Sequence, residues 1–324
     1  MNDKILILWI GRLGDFAVSL KFLSGIKKKY INTELIFVGT NRNVELAYIS
    51  GIFNSIYCYP LKLTPVSIFK IVYFYLKCIF LKKYFMVIDL NTSYSSSSFF
   101  IMKFVKAIHK VSFVKDKRNC YTIGIVVEEL MPTRYKYRKM AEKLQIIYDE
   151  KYNLPSKKID IRKKLDIVND YPVFAIFAGN FSKTGHRWPP EKFIEISNLI
   201  ERKIPHLNQI YITDENEFKI LKNKILSYIK ASFVICKDLK ELCHVISSVD
   251  LLLTNNTGPL HIAELLGIST ISINTDYSAA CWLPETGKHF YIKSGDWKSC
   301  HKIPVEEVFD KIVYSLKELG LEYK

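Results

Sequence analysis

Short apolar runs rich in β-branched residues alternate with segments of helical periodicity along this 324-residue chain, and that alternation admits few folds. It is the pattern of parallel sheets whose strands are joined by crossover helices. In the first half strands are expected over 4–10, 33–38, 55–59, 85–90 and 111–114, with helices over 15–29, 65–82 and 138–150. Residues 151–170 are polar and charged, with Pro155 and Pro172 as punctuation, so the domain linker is placed there and the boundary at 165/166. The second half repeats the alternation, with strands over 173–178, 209–213, 233–235, 251–254 and 270–273. Its helices are expected over 190–202, 215–229, 239–247 and 260–266, and a last one over 305–319 closes the chain. The expected architecture is α/β, two Rossmann-like domains, 1–165 and 166–324, facing each other across a cleft.

With 49% hydrophobic residues the chain can bury a sizeable core, so disorder is not the default. The opening apolar run 5–10 is too short for a secretory segment and is followed by Gly11 and Arg12, which argues against a signal peptide. Seven cysteines, odd in number and without a C-x-x-C pair, argue against a disulfide framework and a zinc site, and a reduced cytoplasm fits them best. The most apolar helix candidate, 66–80, carries Lys70 and Lys77 on one face and is too short and charged to span a bilayer. It reads as a helix packed on its own sheet, with docking on a membrane surface as the alternative.

Charge is divided unevenly. Residues 1–165 hold 29 Lys and Arg against 12 Asp and Glu, whereas residues 166–324 hold 18 against 20. The whole basic excess therefore lies in the first half, which points to an anionic partner, a phosphorylated lipid, acidic glycan or membrane surface, unless it is a lysine-rich exterior without a partner. No nucleic-acid recognition module accompanies the positive charge.

Three loops between a strand and a helix carry chemistry, the position where parallel α/β sheets bind ligands. The first is Trp9-Ile10-Gly11-Arg12-Leu13-Gly14-Asp15. It lacks the G-x-G-x-x-G spacing of a dinucleotide site. Asp15 is either a helix-start acid or a carboxylate placed to take a proton from an attacking hydroxyl. The second loop, Ala178 to Pro189, contains Lys183, His186 and Arg187 and reads as a phosphate cradle or as an exposed basic loop. The third runs through Asn255-Asn256-Thr257-Gly258-Pro259-Leu260-His261, where a buried strand ends and Pro259 suits the first turn of a helix. Free N–H groups there bind a diphosphate without a metal, with His261 expected to face the same cleft, unless the helix is merely capped.

Taken together, Leu13-Gly14-Asp15, Arg187-Trp188-Pro189 and the stretch from Leu239 through Val249-Asp250 to Thr257-Gly258-x-x-His261-x-Ala263-x-x-x-Gly267 resemble the heptosyltransferase-type glycosyltransferases of family 9. That resemblance implies the GT-B fold, an N-terminal domain for the acceptor and a C-terminal domain for a nucleotide sugar. It makes Asp15 the base and Thr257 and Gly258 the diphosphate pair, with Arg187, His186, Lys183, His261 and Asn256 beside them. Glu217 would hold the nucleotide ribose, and Arg12 and Gly14 would meet the acceptor. The Ser-rich loop 91–98, with Asn91 and Ser93, follows a strand of the acceptor domain and reads as hydrogen-bonding a glycan or, alternatively, as a flexible linker. The chain has no D-x-D motif, so no metal or other cofactor is expected beyond the nucleotide-sugar co-substrate. Three departures concern the donor: His186 stands where many members have Lys, Asn256 where they have Asp, and the glycine common just before Thr-Asp is missing ahead of Thr275-Asp276. Asn256 can hydrogen-bond but carries no charge.

The expected function is inverting transfer of a sugar, heptose from ADP-heptose first, to an anionic, lipid-linked lipopolysaccharide or lipooligosaccharide core. Work at the cytoplasmic face of the inner membrane would suit that acceptor. The alternatives are the same fold using another nucleotide sugar for capsule, O-antigen or other surface glycan, and a catalytically weak glycan- or nucleotide-binding protein.

Overall fold

Strands buried on both faces organise each half of the molecule, a computed structural model that describes residues 4–60, 64–80, 82–115, 120–179, 186–219, 232–285 and 287–321. The chain divides into two units, Met1–Tyr152 and Asn153–Lys324.

In the first unit β1 (Lys4–Leu8) is followed by α1 (Leu13–Lys29), β2 (Glu34–Gly39), α2 (Val44–Ser50) and β3 (Ser55–Cys58). Next come α3 (Pro65–Phe74), continued as a wider π turn over Tyr75–Phe80, and β4 (Lys83–Asp89). The unit closes with α4 (Ser96–Phe104), β5 (Lys106–Phe113), β6 (Ile123–Ile125) and α5 (Thr133–Lys143). Its six strands are all parallel in the order β3-β2-β1-β4-β5-β6. Ile5 to Leu8 have no exposed surface, which is the state of a strand with helices on both sides. Phe74, Ile79, Ile101, Met102 and Val105 of the α3 and α4 region cover one face of this sheet. Helix α1 packs against both α2 and α5.

The second unit runs through α6 (Ile161–Lys164), β7 (Val173–Phe177), α7 (Pro190–Lys203), β8 (Asn208–Thr213) and β9 (Ser232–Ile235). It continues with α8 (Leu239–Ile246), β10 (Leu251–Asn255), α9 (Gly258–Leu265), β11 (Ser269–Asn274), α10 (Asp276–Trp282), β12 (His289–Lys293) and α11 (Val305–Glu318). Its order, β12-β11-β10-β7-β8-β9, is again wholly parallel. Counted from the first strand of each unit, both sheets have the order 3-2-1-4-5-6, that of doubly wound nucleotide-binding folds. The α/β expectation therefore holds for each unit.

The division lies earlier than 165/166, because the polar stretch is bonded to the second unit. Leu154 donates its N–H to the Leu265 carbonyl at 2.8 Å, Ile159 N–H donates to Ser248 Oγ at 2.8 Å, and Lys164 pairs with Glu241 at 2.9 Å. The expected helix over 138–150 begins and ends earlier, at Thr133 and Lys143, since Gln145 has a left-handed φ of 53° and Asp149 N–H is held by the Lys21 carbonyl. Short elements escaped the periodic pattern: α2, α4, α6, α10, β6 and β12 each have nine residues or fewer. Of the helix expected over 215–229, residues 215–219 are helical and the remainder lies outside the described residues.

Gly25 shows how tightly α1 is packed. A Cβ there would run into the Ile147 carbonyl oxygen and sit 3.0 Å from Ile146 Cγ2. Gly25→Ala gains about 1 kcal/mol of helix propensity, yet overpacking costs about 1–3 kcal/mol and a backbone obstacle lies at the upper end. The variant is expected to lower unfolding free energy by about 1–2 kcal/mol in urea denaturation; a more stable protein would refute this packing.

Candidate active site

Each sheet brings its ligand-competent loops together where the connections diverge, between its first and fourth strands. In the first unit those are β1 and β4, joined through Leu90 N–H to the Leu8 carbonyl at 3.0 Å. The loop after β1 is shaped from within. Trp9 Nε1 donates to the Arg12 carbonyl at 2.9 Å and Asn43 Nδ2 donates to the Gly11 carbonyl at 3.1 Å. Gly11 is required because a Cβ would lie 2.6 Å from the Trp9 indole, so its role is packing.

Arg12 is exposed and occupies the N-cap position of α1, while Gly14 and Asp15 form the first turn. Asp15 is therefore not the cap, and its side chain has no hydrogen bond among the described residues. Burial raises its carboxyl from 3.8 to about 6, with the Arg12 charge pulling the other way. A half-buried carboxylate of that affinity suits proton abstraction near neutrality. Beneath it lies Tyr137, fully buried, whose hydroxyl donates to the Leu90 carbonyl at 3.2 Å. Burial first, then the charges of Asp15, Tyr148 and Asp89, push that phenol well above its ordinary range and keep it a neutral donor.

Asn91 does not meet the role expected of it. It is buried, and its amide nitrogen donates to Asp89 Oδ1 at 2.6 Å and Ser98 Oγ at 2.9 Å, so its donors shape the loop instead of greeting an acceptor. Ser93 is exposed on that loop, and Ser95 caps α4. Sequence reasoning missed Lys115, at the end of β5, which pairs with buried Asp89 at 2.7 Å. A recess of about 30 Å³ opens beside this pair, lined also by Tyr94, Ser95, Phe99 and Tyr121.

In the second unit the first and fourth strands are β7 and β10, and Asn255 braces them. Its Oδ1 accepts from Trp188 N–H at 3.0 Å and its Nδ2 donates to the Ala178 carbonyl at 3.0 Å. Trp188 is buried, packs on Phe193 and donates Nε1 to the Ile303 carbonyl at 3.0 Å, which anchors Arg187 just before it. Arg187 Nη1 reaches the Gly179 carbonyl at 3.3 Å. His186 is exposed, and its Nδ1 lies 2.7 Å from the Lys298 carbonyl. That partner requires the proton on Nδ1 and leaves Nε2 outward. Lys183 lies outside the described residues.

Thr257 is the N-cap residue of α9, but its hydroxyl turns back to the Asn255 carbonyl at 3.3 Å and caps nothing. Thr275, of the same chemistry, does cap α10 by accepting from Ser278 N–H at 3.1 Å. The start of α9 is thus left uncapped at the strand ends, where its N–H groups and dipole favour an anion. Pro259 removes one donor there, and Leu260 N–H bends back to the Thr257 carbonyl at 3.1 Å. Glu217 lies at the end of the neighbouring β8, where Asp214 Oδ1 accepts its N–H at 2.8 Å.

Two other residues differ from expectation. His261 is buried instead of lining an open cleft, with its ring centroid 6.3 Å from that of Trp282 at the end of α10. Asn256 donates from Nδ2 to Asn274 Oδ1 at 2.7 Å and the Ser278 carbonyl at 3.4 Å, which fastens β10 to β11 and α10. Among the described residues no group of three or more His, Cys, Asp or Glu is arranged to hold a metal.

Two doubly wound units, the second with an uncapped helix start at its switch point, make up the architecture of the GT-B fold. Solved structures share that fold: the glycosyl transferase family 9 protein from Veillonella parvula has a TM-score of 0.81 at 14% identity, covering 98% of this chain and 97% of that one. E. coli ADP-heptose LPS heptosyltransferase II has 0.74 at 15% identity, covering 98% and 99%, and E. coli heptosyltransferase WaaC with ADP has 0.73 at 13%, covering 96% and 99%. The sequence model of glycosyltransferase family 9 (heptosyltransferase) matches residues 76–304, and the chain belongs to that family. Lipooligosaccharide heptosyltransferase 2 of Campylobacter jejuni is 25% identical over 270 residues, 81% of this chain and 78% of that protein.

Two substitutions test this geometry. Asp15→Asn should lower kcat by about 10²–10⁴-fold, and parent kcat/KM should fall as pH drops below about 6. The folded protein binds this proton more tightly than the unfolded chain does, so the carboxylate's destabilisation is absent below about 3.8 and complete above about 6. The same variant should therefore be about 1–3 kcal/mol more stable than the parent at pH 8 and equal to it near pH 3.5, measured by urea denaturation. An Asn256→Asp change would set two acceptors against each other, since Asn274 Nδ2 is already engaged by Ser272. A loss of about 1–3 kcal/mol is expected; unchanged stability would show that the pair does not hold β10 to β11.

Proposed function

We propose that the protein is an inverting, metal-independent glycosyltransferase that transfers heptose from ADP-heptose to an anionic, lipid-linked lipopolysaccharide or lipooligosaccharide core. The observation that carries the reading is the uncapped start of α9 beside Arg187, at the switch point of the second sheet. The Asp15 carboxylate removes the proton of an acceptor hydroxyl, and the oxygen attacks the anomeric carbon opposite the diphosphate. The bond to the diphosphate breaks as the new one forms, with inversion. The negative charge on the leaving group is met by the α9 N–H groups, Thr257, Gly258, Arg187, His186 and Lys183, in place of a metal ion. Glu217 accepts from the ribose hydroxyls. Arg12, with Gly14 and Ser93, borders the acceptor, and the basic excess of the first half suits its phosphates and acidic sugars.

Related proteins support the donor: one E. coli enzyme is described with ADP and another as an ADP-heptose LPS heptosyltransferase. The acceptor reading draws on the Campylobacter lipooligosaccharide enzyme, and an acceptor of that kind would suit work at the cytoplasmic face of the inner membrane. A second donor reading is favoured by Asn256, whose hydrogen bond to Asn274 replaces a carboxylate beside the diphosphate pair. On that reading the same machinery uses another nucleotide sugar for a capsule, O-antigen or similar glycan. A weak binding protein fits the site less well, because Asp15, Arg187, Thr257 and Gly258 are all retained.

A panel of ADP-, UDP- and GDP-sugars with core acceptors, followed by mass spectrometry in the presence of EDTA, tests the proposal. Product from ADP-heptose alone, undiminished by EDTA, is expected. Product from a UDP- or GDP-sugar and none from ADP-heptose would transfer the assignment to the second donor reading, and turnover that needs added Mg²⁺ would overturn the metal-free mechanism.

A further inference from the structure

The outer layer of the first unit leaves large apolar side chains facing water. On α3 and its π continuation, Ile68, Phe69, Val72 and Leu76 follow the spacing i, i+1, i+4, i+8 and so form one stripe. Each is half to three-quarters exposed, while Phe74 and Ile79 on the opposite side enter the core. The adjoining α4 repeats the arrangement: Phe100 and Phe104, one turn apart, are each nearly half exposed, while Ile101 and Met102 are buried. Single exposed hydrophobics need no explanation, but a stripe shared by two neighbouring helices does.

Charge identifies what would cover it. Residues 46–127 contain 11 Lys and Arg but only two acids, Asp89 and Asp116. Asp89 is buried and paired with Lys115. Lys103 on α4, and Lys83 and Lys106 at the starts of β4 and β5, are exposed. A second copy of this chain would set like charge against like charge. An anionic lipid surface accepts both features, apolar side chains entering the acyl boundary and lysines resting among phosphates. No helix among the described residues is long and apolar enough to cross a membrane, which leaves surface docking.

We propose that the α3–α4 face docks this protein on an anionic lipid bilayer. Both helices begin at the strand ends that also carry Asp15. The benefit to catalysis rests on the lipid-linked acceptor proposed above, whereas the docking itself does not.

Co-sedimentation of the full chain with phosphatidylglycerol-containing vesicles, against phosphatidylcholine alone, tests it. At least tenfold tighter binding to the anionic vesicles is expected. Phe69→Glu with Phe104→Glu should weaken it tenfold or more. Val168→Glu, at a still more exposed apolar residue of the second unit, should bind as the parent does. Absence of parent binding, or equal binding by the double variant, would overturn the proposal, as would a solution dimer that the double variant abolishes. Vesicle binding needs neither donor nor acceptor, so transfer to a deacylated acceptor in solution reads the catalytic proposal separately.

Discussion

A sheet covered by helices on both faces leaves only its strand ends for chemistry, and every candidate group in this molecule obeys that constraint. Asp15 follows β1, Ser93 follows β4, Arg187 follows β7, Glu217 follows β8 and Thr257 follows β10. Their positions are consequences of strands such as Ile5 to Leu8 being wholly enclosed. The switch points add the second requirement, since only there do two connections part and leave room between them. At the switch of the second unit, Asn255 ties both sides together, so the loop carrying Arg187 and the start of α9 are positioned by one side chain.

The family pattern and the structure also explain each other where they diverge. Asn256 is a departure when viewed as a diphosphate neighbour, but as a donor to Asn274 it belongs to a matched amide pair. A carboxylate in its place would need a different partner on β11. His186 similarly is fastened to the Lys298 carbonyl, which ties the loop after β7 to the segment between β12 and α11. Both departures therefore support the shape of the donor side, and neither touches the carboxylate proposed to act on the acceptor.

Much of this was legible because buried parallel strands are nearly continuous apolar runs, and because Thr257, Gly258 and Pro259 follow such a run directly. The α4 helix was hidden because its first turn is serine, which favours loops unless one of the serines caps, as Ser95 does. The unit boundary was misplaced because polarity alone cannot reveal that residues 154–164 hydrogen-bond to α8, α9 and Ser248. The burial of His261 depended on helix rotation and on the neighbouring α10, a short helix with no periodic signature. Asn255, Lys115 and Tyr137 act through partners distant in sequence, so composition around them carries no signal.

The repeated strand order has a wider meaning. Neither sheet borrows a strand from the other half, and α11, the last helix, packs on α7 of its own unit. The proton abstraction and the sugar-nucleotide recognition proposed above thus fall on separate sheets within one chain. In such a molecule selection for a new sugar can act on the second framework while the first keeps its acceptor chemistry, which makes the fold a combinatorial device as much as a catalyst.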